Sequence, residues 1–143
     1  SFHDFESGFK SLAIEVELES VTLFLVHLAL GIRARHRQLL ELHVLIQTCD
    51  KPRVIAGDFN TLSGVWEMHM FLRATGLKSA NSHHAPTFPS WAPCRELDFI
   101  CYDPSITPVR FKIPQVRLSD HLPLMFDFEV TEQRKNLAAD DGH

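Results

Sequence analysis

The hydrophobic period of this chain changes twice between Val21 and Asn60, and that switch constrains the fold more than any other feature of the sequence. Val21–Leu28 is almost wholly apolar, with β-branched or aromatic residues at several positions, and reads as a central strand covered on both faces. From Arg33 to Thr48 the period becomes helical, with Leu39, Leu42, His43 and Ile46 on one face. Asp50, Lys51 and Pro52 end that helix, and Val54–Phe59 returns to an apolar strand. Strand, helix and strand in this order imply a parallel, right-handed crossover and therefore an α/β domain.

The flanks fit one domain. Leu12, Ile14, Val16 and Leu18 alternate with Ala13, Glu15 and Glu17, which predicts a half-buried strand near a sheet edge, joined as a hairpin to Val21–Leu28. After Asn60 a short helix is expected, with Ser63 as N-cap, Glu67 in its first turn and Gly76 after its last. Asn81–Arg95 reads as a long functional loop. Strands follow at Leu97–Tyr102, Val109–Ile113 and Leu122–Val130, with Leu124, Phe126 and Phe128 on the buried face of the last. A length of 143 residues suits a single core, here residues 1–130, followed by a polar, flexible tail over 131–143.

Composition narrows the class. Apolar residues make up 45% and charged residues 22%, as in a soluble globular domain. The net charge of -4 disfavours a non-specific polyanion binder, although a local basic rim stays open. Three cysteines, an odd count without metal-type spacing, argue against a disulfide framework and for a reducing compartment. The apolar run Leu23–Ile32 is broken by His27 and is too short to span a bilayer. With no secretion signal visible, a cytoplasmic location is expected.

Polar side chains interrupt the apolar strands at His27, Asp58, Asn60, Asp98 and the Asp120-His121 pair. Burying such groups is costly unless they pair or bind an ion, and these positions together suit one site. Alternation puts Asp58 and Asn60 on one face of their strand and Phe59 on the other. Ligands of parallel sheets bind beyond the carboxyl ends of the strands, where Asp58 and Asn60 fall. The chemistry these residues suit is phosphoester hydrolysis. Asp120 is a hard oxygen ligand for Mg²⁺ or Mn²⁺. Asp58 is placed to orient and deprotonate a water, and Asn60 to donate to non-bridging phosphate oxygens. His121 suits binding or protonating a phosphate oxygen, with Asp98 holding its other ring nitrogen.

The motifs His27-Leu28, Gly57-Asp58-Phe59-Asn60, Thr87-Phe88-Pro89-Ser90, Leu97-Asp98-Phe99-Ile100 and Ser119-Asp120-His121-Leu122-Pro123 resemble those of the endonuclease/exonuclease/phosphatase superfamily. The resemblance runs from about Gly8 to Val130. It implies a metal-dependent phosphoesterase on a four-layer α-β-β-α sandwich with mixed sheets. It gives Asp58 and Asn60 to the nucleophile side, Asp98 and His121 to a dyad, Asp120 to the metal, and His27 to the scissile phosphate. Arg95 is either a contact to substrate phosphate or a solvated loop arginine.

The family's N-terminal half, with its metal-binding Glu in a Gln-Glu motif, has no counterpart in Ser1–Lys10. The expected architecture is therefore a partial sandwich with an exposed apolar edge that self-associates or docks on a complementary N-terminal segment. Two functions remain open. One is a Mg²⁺- or Mn²⁺-dependent hydrolase of a phosphoester, nucleic acid among the candidates. The other is an inactive fragment or phosphate-binding assembly module that keeps the fold. Elsewhere, Arg33, Arg35 and Arg37 read as a solvated face, His83-His84 as a solvated turn, His36 and His43 as a helix flank, and Trp66 and Trp91 as packing over loops.

Overall fold

The computed structural model describes residues 1–6 and 12–131, so the tail beyond Thr131 lies outside the described residues. In chain order the elements are β1 (Phe2–Asp4), β2 (Leu12–Glu17), β3 (Thr22–His27), α1 (Ile32–Gln47), β4 (Arg53–Asp58), α2 (Trp66–Thr75), β5 (Lys78–Ser79), β6 (Asp98–Tyr102), β7 (Ile106–Lys112) and β8 (Met125–Val130). A six-stranded sheet runs β1-β2-β3-β4-β6-β5, and β7 pairs β8 in a separate two-stranded sheet. Among the described residues only the β3–β4 pair, bridged by α1, is parallel; its neighbours are antiparallel. The expected strand–helix–strand unit therefore forms the middle of a mixed sheet.

Alternation along the central strands builds two cores. Phe24, Val26, Ile55, Phe59, Phe99 and Cys101 face the helices and meet Leu39, Leu42 and Ile46 of α1 and Met68 and Phe71 of α2. Val54, Ile100 and Tyr102 face the other way and pack with Phe126, Phe128 and Val130 of the small sheet. Helices, large sheet and small sheet make three layers of the expected four-layer arrangement.

The small sheet covers only part of that inner face. Phe2, Ile14, Leu25, Ala56 and Ile100 lie opposite one another across five strands. Ile100 is buried, whereas Leu25 is 49% and Phe2 76% exposed. This corrects two expectations. β3 is covered on both faces only at part of its length. On β2 the fully buried residue is Ala13, which faces the helices, while Val16 stays exposed on the other side. β2 does lie near the sheet edge, one strand in, because β1 pairs outside it.

Helix α2 starts at Trp66, with Val65 rather than Ser63 in the N-cap position and no side-chain cap, and ends at Gly76 in the left-handed conformation. Gly57 is constrained in another way. Its φ is 148°, and a Cβ there would stand 1.9 Å from the Val26 carbonyl oxygen. The close approach of β4 to β3 that aligns Asp58 with His27 requires glycine at this position.

Candidate active site

His27, Asp58 and Asp98 stand side by side in register on β3, β4 and β6. Two of them are the last residues of parallel strands and the third is the first residue of an antiparallel one. Each lies two residues from Leu25, Ala56 or Ile100, so all three side chains emerge on the inner face between the sheets. The ladder continues past them through Leu28 N–H to the Asp58 carbonyl and Phe59 N–H to the Leu97 carbonyl, each 2.9 Å. This keeps the row rigid at the sheet's end.

His121 reaches the row from the connection between β7 and β8. Its Nδ1 lies 2.8 Å from Asp98 Oδ2, and its Nε2 lies 3.9 Å from Asp58 Oδ2. His27 Nε2 is also 3.9 Å from Asp58 Oδ2 but is largely solvent-exposed. The segment Thr87–Ser90 frames the imidazole. The Phe88 ring packs 4.8 Å from it, Ser90 N–H donates to the Asp120 carbonyl, and Ser90 Oγ donates to the Ser119 carbonyl. Thr87 Oγ1 donates to Asp98 Oδ2 at 2.6 Å. Thr87 and Ser90 are not among the expected site residues, although their motif is visible in the sequence.

Electrostatics set Asp58 and His121 apart by role. Burial chiefly pushes the Asp58 carboxyl above its ordinary pKa, the Asn60 N–H opposes this, and the nearby Asp98 charge adds to it. Burial alone would lower the His121 pKa, but its hydrogen bond to Asp98 and the charges of Asp98, Asp58 and Asp120 raise it. A carboxylate made more basic thus faces an imidazole made readier to hold a proton.

The other expected residues sit farther out. β4 ends at Asp58, so strand alternation does not govern Asn60, whose φ is 51°. Asn tolerates this left-handed conformation. Asn60 is buried and donates one amide N–H to the Leu28 carbonyl at 2.7 Å, while its backbone N–H binds Asp58 Oδ1 at 2.8 Å. Asp120 is exposed beside the cluster. Among the described residues, the metal-competent group whose ligand atoms all lie within 4.8 Å of one another is Asp58, Asp98 and His121, without Asp120. Arg95 is exposed and donates to the Leu62 carbonyl.

Two expectations from outside the site are corrected. Arg35 is fully buried rather than solvated, paired with Glu67 of α2. His84 binds the buried Glu96 carboxylate at 2.9 Å, so it is no free turn residue. Trp66 meets the His36 ring edge-on.

Residues 6–121 match the model of the Endonuclease/Exonuclease/phosphatase family. The chain belongs to this family. No curated protein matches its sequence significantly. Among solved structures, a mannosyl-6-phosphatase of Bacteroides thetaiotaomicron aligns with a TM-score of 0.64 at 18% identity, over 76% of this chain and 51% of that one. The human Nocturnin catalytic domain with bound sulfate aligns at 0.59 and 23% identity, covering 85% and 53%. TDP2 of D. rerio, complexed with a single-strand DNA product, aligns at 0.61 and 19% identity, covering 84% and 61%. The fold is shared, and the chain spans about half the length of the first of these structures. In this member of the family, the Asp98–His121 pair stands where the large sheet and the connection within the small sheet meet.

Proposed function

We propose that this endonuclease/exonuclease/phosphatase family chain carries reacting groups of a metal-dependent phosphoester hydrolase that directs water onto phosphorus. The observation that carries the reading is the packing of Asp58, Asp98 and His121 ligand atoms within 4.8 Å at the end of the sheet. Asp58, raised in basicity by burial, suits orienting a water and taking its proton. His121, oriented through Nδ1 by Asp98, presents Nε2 toward the same space and, when the ring is doubly protonated, donates the Nε2 proton to a phosphate oxygen. Asn60 has a second amide N–H to offer a non-bridging oxygen. His27 lies on the solvent side of Asp58, where it meets the entering phosphate, and Arg95 on the adjacent loop adds positive charge.

A divalent cation fits the donor set. Two carboxylates share a small volume, and the Asp98 charge is part of what raises Asp58, a repulsion that a cation relieves. Oxygen donors would select Mg²⁺ or Mn²⁺, with Asp120 at the rim holding the ion beside Asp58, which keeps an oxygen free to take the proton from water. The ion, when bound, neutralises charge on the phosphate.

The uncovered inner face supports a second element of the proposal: a second copy of the chain or a complementary N-terminal segment covers Phe2, Val16 and Leu25. Light scattering at high concentration decides the self-association version. A Leu25→Asp variant should shift an assembly toward monomer, and a dispersed monomer for the parent chain excludes it.

The activity test is hydrolysis of bis-p-nitrophenyl phosphate with Mg²⁺ or Mn²⁺, with a mononucleotide ester and a sugar phosphate as alternatives. Asp58→Asn and His121→Gln should each remove turnover. Turnover that survives Asp58→Asn overturns the assignment.

A further inference from the structure

Thr87 is fully buried and has every hydrogen-bonding group in use. Its backbone N–H donates to the Arg95 carbonyl and its carbonyl accepts from Leu122 N–H, both at 2.8 Å. Its hydroxyl oxygen receives the N–H groups of Leu97 and Asp98, each at 3.3 Å, and contacts Asp98 Oδ2 at 2.6 Å. A hydroxyl has two lone pairs and one proton. Amide N–H groups can only donate, so they take the lone pairs, and the hydroxyl proton is left for Asp98. A protonated Asp98 donating back to Thr87 would find no free acceptor.

We infer that Thr87 is a positioning residue whose hydroxyl fixes the proton order of the Asp98–His121 pair. Resting on the hydrolase reading above, the inference deepens it. Asp98 Oδ2 accepts from Thr87 and, as a carboxylate oxygen, has only a lone pair to offer His121 Nδ1, which then carries the proton in that contact. The Nε2 atom is then the one that faces Asp58 and the substrate space. Through its carbonyl, the same residue also grips Leu122, the neighbour of His121 in sequence. One buried side chain and its backbone therefore locate both members of the pair, which come from different layers of the fold. Partners of this kind, one step removed from the reacting atoms, are typically worth about 10–100-fold in activity.

The test compares Thr87→Val, which keeps the volume and both backbone bonds, with Thr87→Ser, which keeps the hydroxyl. The first readout is the ring tautomer of His121 by nitrogen-15 NMR of the full chain without added metal. The parent and Thr87→Ser should show proton on Nδ1, and Thr87→Val should show the Nε2–H form mixed in. The second readout is hydrolysis of bis-p-nitrophenyl phosphate with Mg²⁺, where Thr87→Val should lose kcat about tenfold or more with KM changed little and Thr87→Ser should restore it. A parent imidazole protonated on Nε2 alone overturns the inference even if Thr87→Val does not fold. An unchanged tautomer and kcat in a folded Thr87→Val overturns it as well. If the parent is inactive but shows the Nδ1–H form that Thr87→Val loses, the inference stands and the hydrolase reading fails.

Discussion

Arg35 of α1 grips Glu67 of α2 through two hydrogen bonds of 2.6 and 2.7 Å, with neither side chain reaching solvent. The same guanidinium donates to the carbonyls of Ala29 and Leu30. Gln38 accepts from Ala29 N–H, and Asn60 donates to the Leu28 carbonyl. Three side chains, two from α1 and one from just after β4, thus tie down the segment that leaves β3 just after His27. Removing one partner strands a buried charge, so Arg35→Ala and Glu67→Ala should each cost about 3–5 kcal/mol. Combining Arg35→Met with Glu67→Leu should recover much of that loss in urea denaturation, because no charge is then left unpaired.

Asp98 shapes the site in two separable ways. Asp98→Asn should lower kcat about a hundredfold or more, since His121 loses its orienting carboxylate. It should also move the acid limb of the residual activity. Burial is the main cause of the raised Asp58 pKa, with Asp98 adding to it, so removing the Asp98 charge lets Asp58 ionise at lower pH. The limb should therefore shift toward acid in a pH–rate profile; a shift toward alkali would contradict the assignment of Asp58 to that limb.

At the other end of β4, Arg53 binds Asp103 through its guanidinium and its backbone N–H, at 2.7–2.9 Å. Burial would raise the Asp103 pKa, but these hydrogen bonds and the Arg53 charge bring it below the ordinary 3.8. The stabilisation is therefore complete above that value and is lost as pH falls through the still lower folded pKa. Asp103→Asn should cost about 1.5–3 kcal/mol at pH 7. Its urea midpoint should change less than that of the parent as pH falls through 3.8 and below, where the folded carboxylate titrates.

Gly57→Ala tests the backbone contact that sets the row. The added methyl group meets the Val26 carbonyl oxygen at 1.9 Å, and the strands must part to admit it. The expected loss is about 3 kcal/mol, at the upper end of overpacking costs. Activity should fall further than stability predicts, because the shift falls one residue before Asp58. A folded Gly57→Ala enzyme with parental kcat would show that this alignment tolerates slack.

Much of this arrangement is legible in the sequence for definable reasons. The middle of the sheet declares itself because Val21–Leu28 and Val54–Phe59 are apolar runs of strand length on either side of α1, which has a clear apolar stripe. Asp58, Asp98 and His121 stand out because each interrupts or closes apolar sequence. Arg35 does not stand out: it is one of three arginines at alternate positions, and only the acid arriving from α2 selects it for burial. Thr87 is one of many small polar residues in a long loop, and its importance depends on which amides surround its oxygen. Ala13 stays hidden because alternation defines two faces of β2 without saying which one meets the helices. The three residues of β1 are too few to carry a period.

The register that joins Phe2, Ile14, Leu25, Ala56 and Ile100 runs one step below the row of His27, Asp58 and Asp98, on the same side of the sheet. Any layer laid over those apolar side chains would therefore form a wall of the proposed reaction space. It would exclude water beside the carboxylates, and charges interact far more strongly as the surrounding dielectric falls. Assembly and reactivity would then be thermodynamically linked in this protein: whatever covers Leu25 also sets how readily Asp58 takes up a proton.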